Sequence, residues 1–256
     1  MGLSCPNKDG TKGTGGCVYC SKMGSGEYAG EINKPLKEQF ESVKKIMLHK
    51  WPDSKFIAYF QANTNTYGPL DKLVKAWEEV LTYDNVVGIN ISTRPDSITN
   101  ECYEELDKLN KKTDLVVELG LQTIHDKTSK LINRCHTLKE FDDAVDELNK
   151  REIKVLVHII NGLPGESKED MLETVKYLSK KNIWGIKIHM LNVLKDTKLY
   201  EMYKEKPFHI LTKEEYIDIV CEQLQYLDEN IVIHRITGDP TKEELVEPTW
   251  LLKKFC

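Results

Sequence analysis

Phe56-Ile57-Ala58-Tyr59-Phe60-Gln61-Ala62-Asn63-Thr64-Asn65-Thr66-Tyr67 sets the pattern that the rest of the chain repeats. Five apolar residues in succession read as a strand buried on both faces, as in a parallel sheet. The run then breaks into amides and hydroxyls. Helical spacing flanks it on both sides. Lys34–Lys50 carries Leu36, Phe40, Val43, Ile46 and Met47 on one face, and Leu70–Tyr83 carries Leu73, Val74, Trp77, Val80 and Leu81. Further along, strand patterns at Val86–Ile91, Leu115–Val117, Lys154–Ile160, Gly185–Met190 and Ile231–Ile236 alternate with helical ones. The helices are expected at Thr99–Asn110, Lys127–Asn133, Thr137–Lys150, Ser167–Lys181, Lys198–Lys204 and Thr212–Asp228. Three of them open on capping boxes: Thr137 with Glu140, Ser167 with Asp170, and Thr212 with Glu215. The tail from Asp239, with basic Lys253 and Lys254, reads as loop.

Unbroken βα alternation means a parallel sheet with right-handed crossovers. Five or six curved units predict a partial (β/α)6 TIM-like barrel. No linker, solenoid repeat or low-complexity stretch interrupts it, so residues 1–256 read as one domain. Nearly every strand ends in a polar group of residues: Gln61, Asn63 and Thr64; Ser92 and Arg94; Glu118 and Gln122; Asn161 and Gly162; Asn192. Active sites of parallel α/β folds sit at those C-terminal ends. Loops are polar anyway, so each group alone says little; five in a row predict a shared site.

A second stretch supplies metal chemistry. Cys5-Pro-Asn-Lys-Asp-Gly-Thr-Lys-Gly-Thr-Gly-Gly-Cys17-Val-Tyr-Cys20 places three of the seven cysteines in one loop, spaced C-x11-C-x2-C. Its four glycines and proline exclude helix and central strand. Thiolates bind zinc and iron–sulfur clusters. Structural zinc takes four protein ligands, and no fourth lies near, since His49 and Cys102 come next. Three thiolates on a four-iron cluster leave one iron open to a substrate or cofactor. Zinc with a distant fourth ligand, or three free thiols, are the alternatives. A metal loop in an α/β enzyme follows a strand. Only four residues precede Cys5, so the first strand is expected to be missing or truncated, with a sheet edge left uncovered.

The bounds agree with a reducing compartment. An odd cysteine count with three clustered argues against a disulfide framework and for the cytoplasm. No apolar run approaches membrane length, and the start lacks a signal-peptide pattern. Composition is 40% hydrophobic and 30% charged, enough for a sizeable core. Net charge is −5, so RNA contact would need a local basic patch.

The cysteine loop resembles the cluster loop of radical S-adenosylmethionine (SAM) enzymes, in the variant with a long first gap. Cys5-Pro-Asn-Lys-Asp-Gly-Thr and Gly15-Gly16-Cys17-Val18-Tyr19-Cys20 are similar to a YhcC/YtqA-like (MnmL-like) subgroup, itself related to the radical SAM domain of the Elongator catalytic subunit. The likeness runs from Gly2 to about Phe255. It implies one partial-barrel domain with cluster loop 5–20 and a C-terminal extension of about 198–256. It implies a 4Fe-4S cluster on Cys5, Cys17 and Cys20, with SAM chelating the open iron. An electron donor such as flavodoxin or ferredoxin would reduce the cluster. Gln61, Asn63 and Thr64 stand where the family contacts the SAM amino group, usually through a Gly-Gly-Glu-like stretch. Arg94 could meet the carboxylate bidentately or simply pair with Asp96. Ser92 and Glu118 suit ribose hydroxyls, unless Glu118 forms a buried ion pair. His158-Ile159-Ile160-Asn161-Gly162 resembles the adenine-contacting strand, and Gln122 and Asn192 complete the set of candidate cofactor contacts.

Ser92–Asp96, Glu118–Thr123 and Asn133–Thr137 are similar to Elongator, which modifies wobble uridine in tRNA. The resemblance thus implies a tRNA substrate and conversion of a carboxymethylaminomethyl side chain to aminomethyl. Action on a small metabolite or peptide, and a cluster-bearing electron carrier without SAM chemistry, are the competing readings. Cys135 and His136 are placed near the mouth. Cys102 and Cys221 read as helix-core residues and Cys256 as a tail end.

Overall fold

The computed structural model describes residues 2–26 and 28–253. After the cysteine loop come α1 (Leu36–Lys50), β1 (Phe56–Phe60), α2 (Leu70–Val80), β2 (Val86–Thr93) and α3 (Asn100–Asn110). β3 (Asp114–Gln122), α4 (Asp126–Leu131), α5 (Leu138–Asn149), β4 (Lys154–Asn161), α6 (Lys168–Leu178) and β5 (Gly185–Met190) follow. The chain continues with β6 (Val193–Leu194), α7 (Lys198–Glu205), α8 (Lys213–Tyr226), β7 (Val232–Arg235) and β8 (Leu245–Glu247). The main sheet runs β1-β2-β3-β4-β5-β7, parallel throughout, as a curled half-barrel.

Side chains alternate across each strand. Ile89, Ile91, Leu119, Leu121, Val157 and Ile186 join Trp77, Leu106, Phe141 and Leu148 in the core between sheet and helices. The alternate set, Tyr59, Asn90, Ser92, Glu118, His158, Lys187 and His189, belongs to the barrel interior. All three predicted capping boxes are formed. At Thr137 the hydroxyl accepts from the Glu140 N–H (3.1 Å) and the Glu140 carboxylate accepts from the Thr137 N–H (2.7 Å). Thr137→Ala should lower stability by about 1 kcal/mol. The check is the urea midpoint, with Thr137→Ser retaining most of the stability.

Several expectations change. β1 is not buried on both faces: Ile57 is 55% exposed and Tyr59 39%. Its inner face looks into the open half of the barrel, and among the described residues it pairs with β2 alone, giving the uncovered edge. The stripe of α1 is only half-buried, with Ile46 and Met47 exposed. The helix leans on the sheet edge through Phe40, whose ring meets Phe56 and Tyr83, and nothing described covers its far end. β3 runs from Asp114 through Gln122, because parallel pairing with β2 covers Asp114 to Leu119 and pairing with β4 carries on to Gln122. The tail is not all loop: β8 pairs antiparallel with β6. Cys102 is buried as read, but Cys221 is exposed. Lys254 and Cys256 lie outside the described residues, as does the side chain of Lys253. Among the described residues no helix is long and apolar enough to cross a membrane.

Candidate active site

The cysteine loop is a series of tight turns. The N–H groups of Lys8 and Asp9 donate to the Cys5 carbonyl, Gly16 N–H to that of Asn7, and Cys20 N–H to that of Cys17. Gly15 and Gly16 both take the left-handed conformation, φ +76° and +74°, which a side chain would strain. They reverse the chain just before Cys17. The loop is tied to the barrel by Asn133, whose amide donates to the carbonyls of Thr14 and Gly16 (3.1 and 2.8 Å). Asn7 returns a bond to the Asn133 carbonyl at 2.6 Å. Val18 N–H donates to Ile132, and Leu199 N–H donates to Val18.

Cys5, Cys17 and Cys20 line one cavity of about 210 Å³ at the C-terminal ends of the strands. Three thiols around one cavity fit a four-iron cluster with one iron left open. Burial pushes the Cys17 thiol up, with the Arg94 charge opposing, and burial pushes Cys20 up to about 11 with Lys8 opposing. Both cations favour the thiolate form that a cluster requires.

The same cavity collects Gln61, Asn63, Thr64, Ser92, Arg94, Gln122 and His158. Thr64 is 1% exposed and its hydroxyl has no hydrogen-bond partner, so a polar atom waits inside the cavity for a ligand. Asn65 holds that turn in place by donating to the carbonyls of Phe60 and Ser92. A bulge after Gly120 throws Gln122 into the left-handed region (φ +64°). These residues fit a ligand with ammonium, hydroxyl and ring groups, as SAM has.

Other candidates are placed differently. Arg94 grips Asp96 bidentately (2.9 Å twice) and donates to the Arg134 carbonyl. The Asp96 side chain is fully buried, so the pair is interior rather than superficial. Burial would raise the Asp96 carboxyl, but the Arg94 hydrogen bonds and charge hold it below its usual range. Only the outer edge of the guanidinium is left for a ligand.

Glu118 is a buried ion pair, as the second reading had it. Its oxygens accept from Tyr59 (2.7 Å), Asn90 (2.7 Å), His158 (2.7 Å) and Lys187 (2.7 and 2.9 Å). That set saturates the carboxylate and leaves no lone pair for a ribose. Asn161 leaves the site altogether: it exchanges two hydrogen bonds with Gln223 on α8. The N–H of Gly162 faces Met171 sulfur. Asn192 lines a second, larger cavity of about 570 Å³, which shares Tyr59, Gln122, His158 and His189 with the first.

Sequence reading missed Lys8, Tyr59, Lys187, His189 and Arg235 as cavity residues. In Ile186-Lys187-Ile188-His189 the signal was available: polar residues at every second position inside an apolar run face one way. His136 does reach the cavity, its Nε2 bonded to the Gly120 carbonyl at 3.0 Å, while Cys135 is exposed outside it.

A curled parallel half-barrel with three cysteines over its C-terminal mouth defines the class, and sequence comparison agrees. The chain belongs to the radical SAM superfamily: that family's profile matches residues 9–178, and a profile described as the Radical_SAM C-terminal domain matches 183–256. Within it, the chain sits with the YtqA/YhcC-like proteins. It is 44% identical over 254 residues to YtqA of Bacillus subtilis, covering 99% of this chain and 79% of YtqA. It is 29% identical over 156 residues to a tRNA uridine(34) acetyltransferase of Methanocaldococcus infernus, covering 60% of this chain and 29% of that protein. The solved structure of an archaeal Elp3 from the same organism superposes with a TM-score of 0.71 at 23% identity, over 82% of this chain and 55% of that one. The cofactors are a 4Fe-4S cluster and SAM. Together they supply, when bound, a 5′-deoxyadenosyl radical that takes hydrogen from an unactivated C–H bond.

Proposed function

We propose that this radical SAM enzyme modifies the wobble uridine of tRNA, converting a carboxymethylaminomethyl side chain to aminomethyl. In this reading Cys5, Cys17 and Cys20 hold the cluster. Gln61, Asn63, Thr64, Ser92, Gln122, His158 and the free edge of Arg94 hold SAM, with Glu118 positioning His158 and Lys187 from behind. The larger cavity takes the uridine side chain.

One observation carries the reading. Residues of Ser92–Asp96, Glu118–Thr123 and Asn133–Thr137, the three stretches similar to Elongator, meet around one cavity: Ser92, Arg94, Gly120, Gln122, Arg134 and His136 all line it. Segments separated by tens of residues would not share a wall through loop polarity alone. The sequence relative named for uridine 34 chemistry supports the same substrate class.

The test is direct. Reconstituted, reduced enzyme with SAM and tRNA bearing carboxymethylaminomethyluridine is expected to form aminomethyluridine, read by mass spectrometry of the digested tRNA, with 5′-deoxyadenosine formed alongside. Formation of 5′-deoxyadenosine with no change in the tRNA would reject the substrate and retain the class.

A further inference from the structure

The chain has four arginines, and three are held by hydrogen bonds to protein groups. Arg94 holds Asp96 and a carbonyl. Arg134, 1% exposed, donates to the carbonyls of Leu121, Thr123 and His136. Arg151 holds the carboxylate and carbonyl of Glu147. Arg235 differs: among the described residues its guanidinium makes no hydrogen bond and no ion pair, yet it lines both cavities.

Its surroundings are mixed: Lys187, His158 and His189 stand on the wall of the first cavity, and Asp239 and Glu244 line the larger one with it. Burial lowers Lys187, His158 and His189, and the nearby charge of Arg235 adds to the shift. The interior carboxylate beside them, Glu118, is already saturated. A guanidinium with no bond of its own at a cavity wall offers a planar fork of donors that matches an oxyanion. Asn192, on the wall of the larger cavity, has a buried amide oxygen with no donor. The two together suit a group carrying an oxyanion and, nearby, an N–H donor.

We infer that Arg235 anchors a carboxylate of the substrate in the larger cavity, with Asn192 accepting from the amine attached to it. The inference rests on the reading above in taking that group to be the carboxymethylamino arm. Arg235 is thus a substrate-binding residue at the wall that the larger cavity shares with the first.

The probe is N-methylglycine, which is that arm cut free, and the readout is chemical rather than catalytic. Cluster-loaded protein with SAM bound is treated with phenylglyoxal, and each arginine's modification is followed by peptide mass spectrometry. Arg235 is expected to react ahead of the three engaged arginines, and saturating N-methylglycine is expected to slow it about tenfold or more. Dimethylamine, which lacks the carboxylate, should not protect. In equilibrium dialysis with labelled N-methylglycine, Arg235→Ala should lose binding by a similar factor and Arg235→Lys by less; an exposed residue on an edge strand allows both to fold. Failure of N-methylglycine to protect overturns the inference. Protection by SAM alone would make Arg235 a cofactor contact, and protection by inorganic phosphate in place of N-methylglycine would make it a phosphate site; either overturns it too. The tRNA assay fails separately. Unmodified tRNA with Arg235-dependent binding intact removes the uridine substrate, whereas modified tRNA without that binding removes the anchor.

Discussion

Serine at any one of positions 5, 17 or 20 is expected to abolish 5′-deoxyadenosine formation and the SAM-sensitive signal of the reduced cluster. A hydroxyl does not replace a thiolate on iron, and two remaining ligands leave the cluster without a stable seat. Cys135→Ser provides the control, since Cys135 is exposed outside the cavity and should keep both signals. The barrel should survive all four substitutions, because none of these side chains belongs to the core between sheet and helices. Anaerobic iron and sulfide counts with electron paramagnetic resonance read the outcome. Full activity in Cys17→Ser would remove the assignment of the loop.

Glu118→Gln is expected to be the most damaging single change in the barrel interior, at about 3–5 kcal/mol, because it strips the counter-charge from a buried lysine. Lys187 donates to both Glu118 oxygens, and its side chain is 13% exposed. The glutamine amide would also turn a donor toward Tyr59, His158 or Lys187, all of which already donate there. Glu118→Gln with Lys187→Met should recover part of the loss, and the urea midpoints of the four corners of that cycle measure the coupling.

The pH dependence has a definite sign. Burial would raise Glu118, but His158 and Lys187 hold it below its usual range. Its contribution is therefore present above the unfolded carboxyl pKa and disappears as pH falls through the lower folded value. Histidine acts in the same direction: burial, with Arg134 and Arg94, pushes His136 from 6.5 down to about 3. The unfolded chain binds that proton first, so stability should decline as pH falls from 6.5 toward 3. His136→Gln should flatten part of that decline.

Backbone architecture was legible wherever one short-range rule governs it. The boundaries of β5 and the caps at Thr137, Ser167 and Thr212 depend on neighbours within a few residues, and the expected and observed features coincide. The pairing of Arg94 with Asp96, two residues apart, could be weighed for the same reason. Asn161 could not: Gln223, its partner, stands 62 residues away on α8 and draws it out of the site. Glu118 was seen as either ligand contact or ion pair because its four partners come from four other strands. Burial of Ile57, Ile46 and Met47 failed as an expectation because a hydrophobic period fixes a face but not what lies opposite it.

The ties that hold the cysteine loop have a consequence for biosynthesis. Asn133 follows Gly16 by 117 positions, and Leu199, which donates to Val18, follows it by 181. At about 5–20 residues per second, a ribosome needs roughly 10–40 s to deliver Leu199 after Val18 has been made. For that interval the three thiols ride on a nascent chain whose closing partners do not yet exist, and such distant contacts form late in any order of folding. Insertion of the cluster into the closed loop therefore follows delivery of Leu199. Oxidants and stray metal ions reach these thiols most easily before that point.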